Sequence, residues 1–396
     1  MTVPAGAGEG ARAGAPAPAP ARSRFAGRSR IVARALAWRR FPRRASASPR
    51  RILVAHHLLL GDTLMLSPLL KKLRSLHPGA EIAMTMSPAI APLYATKPWD
   101  VRALPFDPRG DLGPLFAEAP FDVAYVPGDN RYAWLAAAMR ARWIIAFGGD
   151  RPATKSWPVD VEIEYPQQPA AWGDLVATLA SGPEPVPFRA GEWRAPPSEA
   201  FDAPRTPYAV LHVGASSPLK RWGAERWAAV AAALAARGVT PVWSAGRGEE
   251  GLIAAIHGSD RFASFAGRLD LAQLWQLVEG ARLLVAPDTG VAHLGRIVGV
   301  PTVALFGPGS ALLCGAGAFW RDAPYRAVTV DPFPCRDQPL LFKRRIAWVR
   351  RCARTPAQCP RHLCMPAIGV ADVLRAIDSL VSLAAAPSPA PETWHP

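Results

Sequence analysis

No apolar run of this 396-residue sequence reaches about 18 residues, the length that crosses a bilayer as a helix. No compact apolar core follows the N-terminus, as it would in a secretory signal. The expectation is a cytoplasmic protein without a membrane span. Charged residues are sparse, 19% against 50% hydrophobic, so the chain can bury two ordinary cores and is too long for one typical domain. Acids are nearly missing from the start: residues 1–50 hold eleven arginines and one acid, Glu9, and so supply +10 of the net charge of +15. The remainder is only mildly basic, which argues against nucleic acid as a partner.

Other absences narrow the chemistry. Neither "RILVA" nor "YAVLHV" is followed by G-x-G-x-x-G, which argues against an oxidoreductase using a dinucleotide. No Asp-x-Asp pair follows a strand, so neither a divalent metal nor another cofactor is expected. The cysteines lack the C-x-x-C spacing of common zinc sites; Cys335, Cys352, Cys359 and Cys364 share one basic stretch while Cys314 stands apart. Reduced or structural thiols are the default reading, with a bound metal or a local disulfide less favoured in a reducing compartment.

What is present alternates. The opening "AGAGEGARAGAPAPAPARSR" is Ala/Pro/Gly-rich and reads as disordered. After it, Ile31, Leu36, Trp38 and Phe41 sit among arginines, a pattern that reads either as a short basic amphipathic helix able to rest on an anionic membrane or as a solvated tail. From Arg51 the chain reads as strands ("RILVAHH", "AEIAMTMS", "VRALPFD", "FDVAYVP", "WIIAFGG") interleaved with helices. One helix carries Leu66, Leu69, Leu70 and Leu73 on one face, and Pro68 requires it to begin late or kink. A Pro-rich linker over 181–206 precedes a second series: "YAVLHVG", "TPVWSAG", "RLLVAPD" and "PTVALFGP" as strands, with helices between. The expected organisation is a tail at 1–50, an α/β domain at 51–190, a second at 191–384 and a disordered end at 385–396. Both domains read as Rossmann-like and doubly wound, facing each other across a cleft lined by strand ends.

The strand-end loops carry the candidate chemistry. "HVGASSPLKRW" offers Gly214, Ser216, Ser217 and Lys220, small residues, hydroxyls and a cation suited to phosphate, although an ordinary Ser/Pro loop would look the same. "APDTGVAHLGRIVG" puts Asp288, Thr289 and Gly290 at a helix N-terminus with His293 one turn in. Asp288 is also readable as an N-cap and His293 as a hydrogen-bonded core histidine. "SAGRGEE" offers Glu249 or Glu250 to a ribose hydroxyl pair, or simply as first-turn helix charge. In the first half, the lone acid of "LLLGD", Asp62, stands where a strand becomes a helix, and is readable as a ligand-binding group at a strand end or as a cap.

The order "LLLGD", "HVGASSPLKRW", "SAGRGEE" and "DTG..H" ahead of "GVPTVALFGP" resembles glycosyltransferase family nine, the bacterial heptosyltransferases of lipopolysaccharide core assembly, over residues 51–376. The resemblance implies the GT-B architecture, with the acceptor on the first domain, the nucleotide sugar on the second, and inversion without a metal. It places the family's base on Asp62, its lysine on Lys220, its phosphate-facing hydroxyls on Ser216 and Ser217, its ribose acid on Glu249, and its "DTG..H" on Asp288, Thr289, Gly290 and His293. A heptose from ADP-heptose, a lipid-linked saccharide acceptor and peripheral contact with the inner membrane leaflet follow as implications. The sequence departs from the pattern at Leu58 to Leu60, at Arg296 and in the Arg-rich insert "RDQPLLFKRRIAWVRRCARTP". A non-catalytic nucleotide-sugar-binding or scaffold protein of the same fold is the alternative; retention of both Asp62 and Lys220 counts against it.

Overall fold

In the computed structural model, the described residues are 24–39 and 43–384; the Ala/Pro/Gly-rich opening, Phe41 and the segment 385–396 lie outside them. The first sheet contains β1 (Arg51–Val54), β2 (Glu81–Met86), β3 (Val101–Pro105), β4 (Val123–Val126), β5 (Ile144–Phe147) and β6 (Val161–Ile163). Their order is β3-β2-β1-β4-β5-β6, and every pairing is parallel, Ile52 lying opposite Ile82 on one side and Val123 on the other. The second sheet contains β7 (Tyr208–His212), β8 (Thr240–Ser244), β9 (Leu283–Pro287), β10 (Thr302–Phe306) and β11 (Tyr325–Thr329), in the order β11-β10-β9-β7-β8, again all parallel. Central strands such as β4, β7, β9 and β10 are buried along their whole length, as parallel sheets covered on both faces require. Chain order reverses between β1 and β4 and between β7 and β9, and ligand crevices open at such reversals. The architecture is GT-B, two Rossmann-like α/β units.

The segment before β1 differs from a free tail. Residues Arg24–Trp38 form the expected helix, but Ile31 and Ala35 are buried in the core of the first sheet, beside Phe116 and the helix Arg131–Ala138. Arg34 donates to Ala138 O and Phe116 O at 2.9 Å each. Two apolar positions four residues apart form an inward stripe, and burying it outweighs leaving the helix in solvent. The other side leaves Phe25, Val32 and Leu36 exposed.

The Pro-rich linker is irregular yet anchored. Trp193 Nε1 donates to Leu93 O at 3.2 Å, and its ring lies 4.7 Å from Tyr94 of the first domain and 5.8 Å from Trp275 of the second. One hydrophobic cluster therefore contains residues from both domains. Among the described residues, no helix is long and apolar enough to cross a membrane.

Candidate active site

Beyond β1 the chain turns and enters the short helix Leu60–Leu64, with Asp62 in its first turn. Pro68 lies at the start of a separate helix, Ser67–Leu76, so the proline splits the apolar pattern into two helices. Asp62 makes no capping hydrogen bond at this helix. It is half-buried, and burial pushes its carboxyl up to about 6, with Asp288 adding to the rise while Lys220 and Arg351 oppose it. Those opposing groups belong to the second half of the chain, so the acid faces the cleft.

The cleft is narrow here because two glycines permit it. A β-carbon at Gly61 would lie 2.7 Å from His293 Cδ2, and one at Gly290 would lie 2.7 Å from Leu60 Cγ. The helix Leu60–Leu64 thus packs directly on the helix Gly290–Val298, which starts beyond β9. Thr289 occupies the N-cap position without a capping hydrogen bond, and its Oγ1 is buried with no hydrogen-bond partner among the described residues. The first N–H groups of that helix lack intrahelical partners, so an unpaired hydroxyl and a positive helix end share one spot.

Asp288 is not the cap. Lys220 Nζ donates to its Oδ2 and to its main-chain oxygen, both at 2.8 Å, which ties the loop after β7 to the loop after β9. Lys220 ends a 3₁₀ turn, Pro218–Lys220, that Ser217 caps by accepting from Leu219 N at 3.3 Å. Ser217 is therefore committed locally, whereas Ser216 is exposed. His293 is buried, with Nδ1 against the Arg296 guanidinium. Burial holds its pKa well below the usual range, with Arg296 and Lys220 acting the same way. Since arginine can only donate, Nδ1 accepts and the ring proton belongs on Nε2, on the edge that meets Gly61.

Arg296 itself is buried, donates to Gly315 O, and has ring centroids of Trp320 and Tyr325 at 4.7 and 4.9 Å. Glu249 bridges two loops: its oxygens accept from Ala215 N and Gly246 N at 3.0 Å each. A β-carbon at Gly214 would collide with that carboxylate, so glycine is needed for the bridge. Glu250 instead accepts from Gly248 N at 3.0 Å.

The Arg-rich insert departs from the family pattern. It forms a small hairpin, β12 (Leu340–Leu341) and β13 (Arg344–Arg345), that crosses to the first domain. Arg344 is buried at the ends of β4 and β5, donating to Gly148 O, Gly128 O, Asn130 Oδ1 and Phe147 O at 2.7–3.0 Å, with Asp150 3.8 Å away. The Phe342 ring lies 5.0 Å from that of Trp172, tilted by 40°, and Trp348 Nε1 donates to Pro166 O at 3.1 Å. Two adjacent arginines flanked by Phe342 and Trp348 in "LLFKRRIAW" are the available signal; nothing local names their partners. Outside the ends of β1, β2, β3 and β4 lies a cavity of about 360 Å³, lined by His57, Ser87, Asp107, Arg109, Arg131 and also by Arg28 of the first helix.

Residues 117–322 match the model of glycosyltransferase family 9 (heptosyltransferase). The chain belongs to glycosyltransferase family 9. It is 32% identical over 183 residues to lipopolysaccharide heptosyltransferase 1 of Pseudomonas aeruginosa, an alignment covering 40% of this chain and 51% of that protein. The chain spans about half the length of the curated relatives it matches. A family 9 glycosyltransferase from Veillonella parvula has a TM-score of 0.66 at 17% identity, covering 86% of this chain and 100% of its own. The E. coli heptosyltransferase WaaC with ADP-2-deoxy-2-fluoro heptose has a TM-score of 0.57 at 18% identity, covering 71% and 93%. At those identities the likeness is one of fold. The loops at 212–222, 246–250 and 288–293 fall inside the family match; Asp62 and the insert fall outside it.

Proposed function

We propose that this protein is an inverting, metal-independent glycosyltransferase that moves a heptose from ADP-heptose to an acceptor of the lipopolysaccharide-core type or a related glycan. One observation carries the reading. Asp62, from the first domain, is held in the same narrow space as the Lys220–Asp288 pair and the open helix end at Thr289 and Gly290. The substrate rests on the names of the relatives, a lipopolysaccharide heptosyltransferase and a neighbour holding an ADP-heptose analogue.

In this reading Asp62 takes the proton of the acceptor hydroxyl as that oxygen attacks the anomeric carbon, while the diphosphate leaves from the opposite face. A carboxyl with its pKa at about 6 is ionised at neutral pH yet basic enough to accept a proton in the transition state. Lys220, the unpaired Thr289 hydroxyl, Ser216 and the N–H groups of 289–291 stabilise the charge growing on the diphosphate. Glu249 meets the ribose with the lone pairs its two main-chain donors leave free, and His293 holds the helix end in place. Gly214 supplies the space that lets Glu249 do so. The acceptor enters by the cavity beside Arg109 and Arg131, and the exposed apolar stripe of the first helix rests on an anionic membrane carrying it.

The test is to incubate the protein with ADP-heptose and a truncated core saccharide, then identify the product by mass spectrometry and its anomeric configuration by NMR. The expected product has the configuration opposite to that of the donor, at a rate indifferent to chelator. Release of ADP without glycan product, a retained configuration or a chelator-sensitive rate counts against the reading.

A further inference from the structure

We propose that Arg351, carried by the insert, contacts the diphosphate of the nucleotide-sugar donor and sets the affinity for it. The assignment rests on the nucleotide-sugar reading above. Its first support is a charge balance. The cleft brings two carboxylates, Asp62 and Asp288, against one ammonium, Lys220, whose Nζ is already bound twice to Asp288. His293 is neutral, and Arg296 is turned to His293 and Gly315 between two rings. Arg221 lies 3.6 Å from Glu249. A diphosphate entering this space would meet a surplus of negative charge unless another cation faced it.

Arg351 is placed to be that cation. Cys352 N donates to Pro308 O at 3.0 Å, and Gln338 N donates to Arg351 O at 3.1 Å, so the main chain on both sides is pinned. Pro308 adjoins Gly309, which lies flat against the Asp288 carboxylate: a β-carbon there would collide with Oδ2. Arg336 fastens the start of the insert to the same loop, donating to Gly307 O at 2.8 Å and Phe306 O at 3.0 Å. The Arg351 side chain is half-buried and makes no hydrogen bond or ion pair among the described residues, yet it is near enough for its charge to act on Asp62 and Cys314. A guanidinium presents a planar fork of donors that fits phosphate oxygens bidentately. The insert lies beyond residue 322, where the family match ends, so this contact would be an addition to the matched part of the chain.

The experiment is isothermal titration of the full chain with ADP, inorganic pyrophosphate and AMP. Arg351→Gln is expected to weaken ADP and pyrophosphate by about 10-fold or more, the scale of a charge-assisted contact, and AMP by less than about threefold. Arg351→Lys should recover part of the loss. Arg350→Gln, at an exposed neighbour bonded to Ala347 O and Val349 O, should change none of the three. Unchanged ADP affinity in Arg351→Gln overturns the assignment and leaves the nucleotide-sugar reading standing. Equal weakening of AMP and ADP, or an equal effect of Arg350→Gln, overturns it as well, because loop collapse or bulk charge would then explain the loss. If Arg351→Gln does not fold, Arg351→Lys decides alone: it folds with ADP weakened more than AMP, or the assignment fails. Wild-type protein that binds no ADP overturns both readings.

Discussion

Both sheets turn their carboxyl ends to the same cleft, and they furnish those ends in opposite ways. In the second domain the loops after β7, β8 and β9 are short, glycine-bearing and self-contained: Lys220 meets Asp288 and Glu249 meets two main-chain N–H groups within one domain. In the first domain the ends of β4 and β5 are filled from outside, by Arg344 arriving from about 200 residues along the chain. A loop that closes on itself makes a binding surface whose chemistry is local. A strand end filled by a distant hairpin instead couples the two domains, so the insert is a strap from one to the other.

The largest effect should come from Asp62, the first-domain group that serves as base in the proposed reaction. Asp62→Asn is expected to lose about 100-fold or more in turnover while still binding donor, the usual scale for a general base. Turnover of the wild type should fall as pH drops through about 6, where the carboxyl takes up its proton. The stability signature has the opposite sense. An acid whose folded pKa lies above its unfolded value gives full stability below the unfolded value and loses it as pH rises through the folded one. Asp62→Asn should therefore raise the melting temperature at pH 8, by about 1–3 kcal/mol of stability, and leave it nearly unchanged at pH 4. Thermal melts showing no pH-dependent gain would mean that the acid is solvated and not poised.

The strap is probed next. Arg344→Met removes a buried cation from four acceptors of the first domain and leaves Asp150 paired with Lys155 at 2.9 Å, so the loss is moderated. About 2–4 kcal/mol of stability should disappear, the range for breaking a buried charged network. Urea unfolding is the direct measurement. A change below about 1 kcal/mol would show that the hairpin rests on the first domain without holding it.

Much of this layout was legible. The apolar runs that became β4, β7, β9 and β10 are buried from end to end, and those of β1 and β2 are buried beyond their first residue; such runs carry a strong signal in any parallel sheet. β6 and β11 were not anticipated: both are edge strands, and "VEI" and "YRAVT" expose polar positions, so neither reads as a run. Among the site residues, Asp288 and Lys220 could be picked out singly by residue type and loop position, but their mutual bond depends on two strands lying side by side. Arg296 and Arg344 illustrate the harder case. An arginine in sequence reads as solvated, and only the carbonyls and rings of other segments make its burial affordable.

Within the second domain, Lys220→Ala should weaken donor binding and turnover together by about 1.5–3 kcal/mol, the range of one charged contact. It also leaves Asp288 without its ammonium, so Lys220→Arg is the sharper partner experiment. Unchanged affinity for ADP in the alanine variant would return Lys220 to the role of a tie between two loops.

The smallest effect concerns the helix before β1. Removing residues 1–49 is an unsuitable test of membrane contact, because Ile31 and Ala35 belong to the core of the first sheet and their loss would expose it. The outward stripe can be changed without touching that packing. Phe25, Val32 and Leu36 recur at seven and eleven residues, so they line one exposed face, with the exposed Arg28 beside it. A side chain of that kind entering a lipid interface gains about 1 kcal/mol, roughly what one arginine gains near an anionic surface. Phe25→Ser with Leu36→Ser should therefore reduce co-sedimentation with anionic vesicles by about 10-fold or more, at an unchanged melting temperature and unchanged turnover on a soluble acceptor. Arg28→Gln should reduce it by a few-fold, and only at low salt, since screening removes its share beyond a Debye length. Vesicle binding equal to wild type in both variants would leave the helix as a buttress of the first sheet, with its outer stripe facing water.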